Sequence, residues 1–138
     1  METENVLVVD DDPDFLEMLE RELKEVKGLN IKAVGTARDA VESLIPHRFN
    51  LVVSDWAIAS DAGPEVLYRA DALLKDMNRK TPVLFVSGDD RFALTKTIKP
   101  LDNFEPVSFV LKGAGTPSIR LTVQNILNGK RKSKAEEQ

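Results

Sequence analysis

The chain has 138 residues, 42% of them hydrophobic, which suits one domain with a single substantial core. It contains no cysteine, so disulfides, thiolate metal sites and a cysteine nucleophile are excluded, and this residue usage fits a reducing cytoplasm. The net charge of -4 argues against general binding of a nucleic-acid backbone by the domain, and no apolar stretch approaches the roughly 20 residues that cross a bilayer.

The first apolar run, Val6 to Val9, ends in three aspartates, Asp10, Asp11 and Asp12. Asp12-Pro13 reads as a helix cap followed by proline at the first helical position, and Phe15, Leu19, Leu23 and Val26 then share one helical face. Ile31 to Val34, interrupted by Lys32, suits an edge strand. Thr36 caps a second helix with Ala37, Ala40, Val41, Leu44 and Ile45 on its apolar face and Asp39 placed for a capping box. His47, the single histidine, reads as a surface residue after it.

Leu51 to Val53 forms the next run and leads into Asp55, with Trp56 read as a loop residue behind it. Gly63-Pro64 opens a third helix carrying Val66, Leu67, Ala70, Leu73, Leu74 and Met77. Val83 to Val86 leads into Ser87, and a weaker helix over 89–98 is followed by an irregular loop over 99–106. Val107 to Leu111 leads into Lys112. Thr116-Pro117 opens the last helix, with Ile119, Val123, Ile126 and Leu127 inward and closure near Gly129. The basic residues Lys130, Arg131, Lys132 and Lys134 then read as a solvated tail or linker remnant over 129–138, outside a domain of 1–128.

Strand and helix alternate five times, and the strong strands lack polar alternation, as strands covered on both faces do. The expected fold is α/β and doubly wound: a parallel five-stranded sheet between two helical layers, a (βα)5 three-layer sandwich.

In a parallel sheet the carboxyl ends of the strands share one edge, and ligands bind outside it where the strand order reverses. Asp10, Asp11, Asp55, Ser87 and Lys112 should therefore converge. The aspartates offer hard oxygen ligands to a small cation such as Mg2+. Lys112 is a point positive charge and Ser87 a hydrogen-bond donor, so the set suits a phosphoryl group. Asp55, on a strand expected between the one bearing Asp10 and Asp11 and the one bearing Ser87, is the candidate for in-line attack on phosphorus.

The stretches "VLVVDDDP", "LVVSDWAIASDAGPEVL", "PVLFVSG" and "SFVLKG", in this order over residues 5 to about 128, resemble the receiver domain of two-component response regulators. That resemblance implies a flavodoxin-like sheet of order 2-1-3-4-5 and a phosphoacceptor regulatory domain rather than an enzyme. It implies Asp10 and Asp11 as the acidic pair, Asp11 as the direct Mg2+ ligand, Asp55 as phosphoacceptor and further ligand, and the Ala57 carbonyl as another. Ser87 becomes the switch hydroxyl, Lys112 the phosphate-pairing lysine and Phe109 the aromatic switch. The implied partners are a sensor histidine kinase or a histidine phosphotransfer protein and a downstream effector, with a homodimer possible and no membrane contact.

The sequence departs from the pattern at Ala59, where proline is common, at Gly113, where the family has a cis proline after its lysine, and across "TKTIKPLDNFEPVSF". Two alternatives compete: a pseudo-receiver that acts only as a protein-interaction module, and a haloacid-dehalogenase-like phosphatase using Asp10 and Asp12 as its DxD pair.

Overall fold

The computed structural model describes residues 3–45, 49–58, 61–74, 80–88 and 98–136, with the backbone alone for 57–58, 61–63 and 130–136. Its strands and helices alternate as β1 (Glu4–Val9), α1 (Pro13–Lys24), β2 (Leu29–Val34), α2 (Ala37–Leu44) and β3 (Leu51–Asp55). Two short strands follow, β4 (Ala57–Ile58) and β5 (Asp61–Ala62), then α3 (Gly63–Leu73), β6 (Thr81–Ser87), β7 (Phe104–Leu111) and a C-terminal helix, Thr116–Glu136. The main sheet runs β2-β1-β3-β6-β7, every pair parallel, which is the order 2-1-3-4-5 when its five strands are counted along the chain.

Because side chains on a strand point alternately to opposite faces, the three central strands divide their apolar residues between two cores. Leu7, Val9, Val52, Val83 and Phe85 pack with Ala37, Ala40 and Leu44 of α2 and Val66, Leu67 and Ala70 of α3. Val6, Val8, Leu51, Val53, Leu84 and Val86 pack on the other face with Leu19 and Leu23 of α1 and with Ile119, Val123 and Leu127 of the C-terminal helix. Helices on both faces explain why these strands carry no polar alternation.

The local signals behave as their chemistry predicts. Asp12 Oδ1 accepts from the Asp14 and Phe15 amides at 3.1 and 3.4 Å, with Pro13 opening α1. Thr36 Oγ1 accepts from the Asp39 amide at 3.1 Å at the start of α2. Across the α1 face, Glu22 accepts from Arg120 Nη1 at 2.6 Å and from the Thr116 hydroxyl at 3.1 Å, so one carboxylate ties α1 to the C-terminal helix.

Three stretches differ from the sequence expectation. The last strand begins at Phe104 rather than Val107, because Thr81, Pro82 and Val83 supply ladder partners for Phe104, Glu105 and Pro106. It is an edge strand with a register shift opposite Val83/Leu84, which is where a proline is tolerated, and its Val107 and Leu111 are exposed rather than covered on both faces. The C-terminal helix runs on to Glu136 instead of closing near Gly129, since one glycine costs a helix only about 1 kcal/mol and the residues beyond it are helix formers. The antiparallel pair β4–β5 was not anticipated. The weak helix expected over 89–98 and His47 lie outside the described residues, apart from Ile98.

The segment before β7 is held by α3 instead. Asp71 Oδ1 accepts from the backbone and side-chain nitrogens of Asn103 at 2.8 and 2.9 Å, and Oδ2 accepts from the Asp102 amide at 3.0 Å. One turn earlier, the Tyr68 hydroxyl accepts from the Lys99 amide at 2.9 Å. Asn103 is buried, so removing its acceptor leaves donors without water. Asp71→Ala is expected to lower stability by about 1–3 kcal/mol in urea denaturation, and an unchanged midpoint would show the clamp to be incidental. Among the described residues no helix is long and apolar enough to cross a membrane.

Candidate functional site

Strand register delivers the polar residues to one edge. β1 and β3 pair Val9 with Ser54, so Asp10 follows level with Asp55. β3 and β6 pair Asp55 with Val86, and β6 and β7 pair Ser87 with Leu111, so Ser87 and then Lys112 come next along the same edge. Asp10, Asp55 and Ser87 are all buried, at 2%, 8% and 4% exposure, whereas Asp11 is exposed.

Carboxylate oxygens of Asp10, Asp11 and Asp55 lie within 4.8 Å of one another. Lys112 Nζ lies 2.8 Å from Asp10 Oδ2 and 3.4 Å from Asp55 Oδ2. Asp10 also accepts from the Asp12 amide through Oδ1 at 2.9 Å, which fixes its plane. Burial alone would lower the Lys112 pKa, but the hydrogen bond and charge of Asp10, reinforced by Asp55, outweigh desolvation and raise it above the ordinary 10.5. The lysine is therefore a permanent cation at neutral pH.

Three hard carboxylate oxygens at this spacing fit an oxygen-preferring divalent ion, with positions left for water or a phosphoryl oxygen. Asp12, the other aspartate of the run, points its Oδ1 to the helix amides instead. A DxD pair of Asp10 and Asp12 is thus not assembled, which removes the support for the dehalogenase-like alternative. Ala57 begins β4 one residue beyond Trp56; Ala59 lies outside the described residues.

Gly113 does not divert the lysine. Lys112–Ala114 form a 3-10 turn closed by the Gly115 amide on the Lys112 carbonyl at 3.0 Å, and no peptide bond among the described residues is cis. Gly115 then takes φ of 91°, a conformation glycine adopts without a Cβ penalty, and its carbonyl receives the Ser118 and Ile119 amides that start the C-terminal helix.

Two aromatic features were missed in the sequence. Trp56 lies between β3 and β4 as a loop residue, yet it belongs to the core: it is 3% exposed, with ring centroids 4.9 Å from Phe85 and 5.7 Å from Phe109, both edge-on. Its indole Nε1 is buried without a hydrogen-bond partner among the described residues. The half-buried Phe109 thus leans on the residue that follows Asp55. Phe15, read only as part of an apolar helical face, lies with its ring under the Lys112 ammonium at 4.5 Å. Its place in the first turn of α1, four residues after Asp11, is a signal that the sequence did carry.

Comparison with known proteins agrees with this fold. No curated protein matches the chain. Among solved structures, the signal receiver domain of an HD domain-containing protein from Pseudomonas fluorescens Pf-5 is 19% identical, with a TM-score of 0.74 over 98% of this chain and 94% of that one. A CheY-like receiver domain protein from Methanospirillum hungatei JF-1 is 20% identical, with a TM-score of 0.71 over 96% and 99%. Response regulator TrrA from Thermotoga maritima, in complex with Mg2+-BeF, is 21% identical, with a TM-score of 0.69 over 89% and 98%. These likenesses establish the CheY-like, flavodoxin-type fold. The family model of the response regulator receiver domain matches residues 6–124, most of the chain, and the chain accordingly belongs to the response regulator receiver domain family of two-component systems.

Proposed function

We propose that this receiver accepts a phosphoryl group on Asp55 from a histidine kinase or a histidine phosphotransfer protein, in a Mg2+-dependent reaction in the cytoplasm. The observation that carries the reading is the convergence of three carboxylates within 4.8 Å with the Lys112 ammonium 2.8 and 3.4 Å from two of them. Asp10, Asp11, Asp55 and the Ala57 carbonyl would hold the cation, which supplies charge neutralisation to phosphoryl oxygens.

In the transfer, an Asp55 carboxylate oxygen forms a bond to phosphorus in line with the breaking P–N bond. The bonding pair returns to the donor imidazole nitrogen. Lys112 pairs with a phosphoryl oxygen. The acyl phosphate then adds charge beside Ser87, whose hydroxyl donates to it. Movement of Ser87 makes room for Phe109, and the switch is a population shift between two packings that a downstream effector reads. Residues 1–128 form the receiver in this reading, with 129–138 extending from it toward whatever follows or binds.

The test is incubation with Mg2+ and acetyl phosphate or phosphoramidate, followed by mass measurement. An acid-stable, hydroxylamine-labile phosphoryl adduct is expected. Beryllofluoride with Mg2+ should also change the emission of Trp56, the single tryptophan, because it follows directly on Asp55 and its ring abuts Phe109. A protein that takes no label and shows no emission change would be the interaction-only module.

A further inference from the structure

We infer that Phe15 is a positioning residue for Lys112, setting how well the ammonium meets the phosphoryl group on Asp55. The inference rests on the phosphoacceptor reading above and extends it to a residue on a different element. Its ground is the arrangement around Nζ: Asp10 Oδ2 at 2.8 Å, Asp55 Oδ2 at 3.4 Å and the Phe15 ring centroid at 4.5 Å. With those three neighbours, the Lys112 side chain is only 22% exposed.

The two carboxylate contacts cannot both survive the reaction. With a divalent cation on Asp10 and Asp11 and a phosphoryl group bonded to one oxygen of Asp55, the ammonium must leave Asp10 for a phosphoryl oxygen. The aromatic face is the one contact that neither event consumes. A benzene ring carries negative charge on its face and attracts an ammonium without competing for hydrogen-bond acceptors, so it retains Nζ near the site while its partners change. Lysine needs such a guide, since its four-carbon stem is flexible and its head is a point charge without a fork to fix its direction.

Phe15 itself is well held. Its amide donates to the Asp12 cap at 3.4 Å, and its ring is partly buried against the core that contains Val8, Leu19 and Val86. The first turn of α1 and the 3-10 turn after β7 are thereby joined across the phosphoryl site by one ring.

The experiment compares wild type, Phe15→Leu and Phe15→Tyr with Mg2+ and saturating phosphoramidate, each checked for a folded far-UV circular dichroism spectrum. Leucine keeps the apolar bulk but has no aromatic face; tyrosine keeps the face. Phe15→Leu is expected to label Asp55 about three- to tenfold more slowly, and Phe15→Tyr within about twofold of wild type, the range of a partly desolvated cation–π contact. The Lys112 ε-methylene protons should be shifted upfield by the ring in wild type and Phe15→Tyr, and return toward the ordinary lysine position in Phe15→Leu.

Equal labelling rates in wild type and Phe15→Leu would overturn the inference, as would a Phe15→Tyr protein as slow as Phe15→Leu. So would a slow Phe15→Leu protein whose Lys112 resonance is unmoved, because the ring would then act through packing alone. A wild-type protein that takes no label would end the phosphoacceptor reading and this inference together. A labelled wild type with an unaffected Phe15→Leu ends this inference only.

Discussion

Asp55→Asn is expected to take up no phosphoryl label from phosphoramidate and Mg2+, and to be more stable than wild type when divalent cations are removed. The first effect follows from the nucleophile. A carboxylate oxygen carries negative charge and an available lone pair, whereas an amide oxygen is neutral and its nitrogen is delocalised, so no acyl phosphate forms. The second follows from charge. Two carboxylates a few ångströms apart repel by roughly 4 kcal/mol near a protein surface, and among the described residues the Lys112 ammonium offsets only part of this for the Asp10, Asp11 and Asp55 group. Relieving one charge should raise stability by about 1 kcal/mol in EDTA, read as a higher urea midpoint at unchanged slope. Adding Mg2+ should reverse the order, since a cation that binds only the native state stabilises wild type by mass action and the variant less. A variant labelled as well as wild type would move the acceptor elsewhere.

Lys112→Met is expected to act in the opposite direction on stability and in the same direction on chemistry. Methionine keeps an unbranched stem but leaves Asp10, 2% exposed, and Asp55, 8% exposed, without the ammonium. Breaking a buried ion pair by removing one member costs about 3–5 kcal/mol, and the partial exposure of Lys112 puts the expected loss in EDTA near the lower end. Saturating Mg2+ should recover most of it. Labelling should slow by about 100-fold, the usual loss when one group that stabilises transition-state charge is deleted.

The pH dependence has a definite sign. Since the folded-state pKa of Lys112 is raised above 10.5, its stabilising contribution is fully present below about pH 10.5 and is lost as pH climbs through the folded value. The stability gap between wild type and Lys112→Met should be flat across neutrality and close above that point. A gap that varies between pH 6 and 9 would contradict the assignment.

How much of this was legible beforehand depended on the distance between the residues involved. Asp12-Pro13 and Thr36 with Asp39 announce their helices because a cap and the amides it satisfies lie within one turn. The apolar runs leading into Asp10, Asp55, Ser87 and Lys112 announce a parallel sheet and one polar edge, since every such strand ends on the same side.

Other features depended on partners far away along the chain. Glu105 and Pro106 join a strand because Pro82 and Val83 lie alongside, although neither residue is a strand former. Trp56 is buried because Phe85 and Phe109 come from two other strands to meet it. The pairing of Lys112 with Asp10 at 2.8 Å rather than first with Asp55, and the ring of Phe15 beneath it, are set by how the turn after β7 crosses the start of α1. The sequence by itself determined the periodicity, the caps and which chemical groups reach the sheet edge. Only the tertiary structure decided which of them touch, because contact depends on strand register and loop path, and these follow from the packing of the whole domain rather than from any one segment.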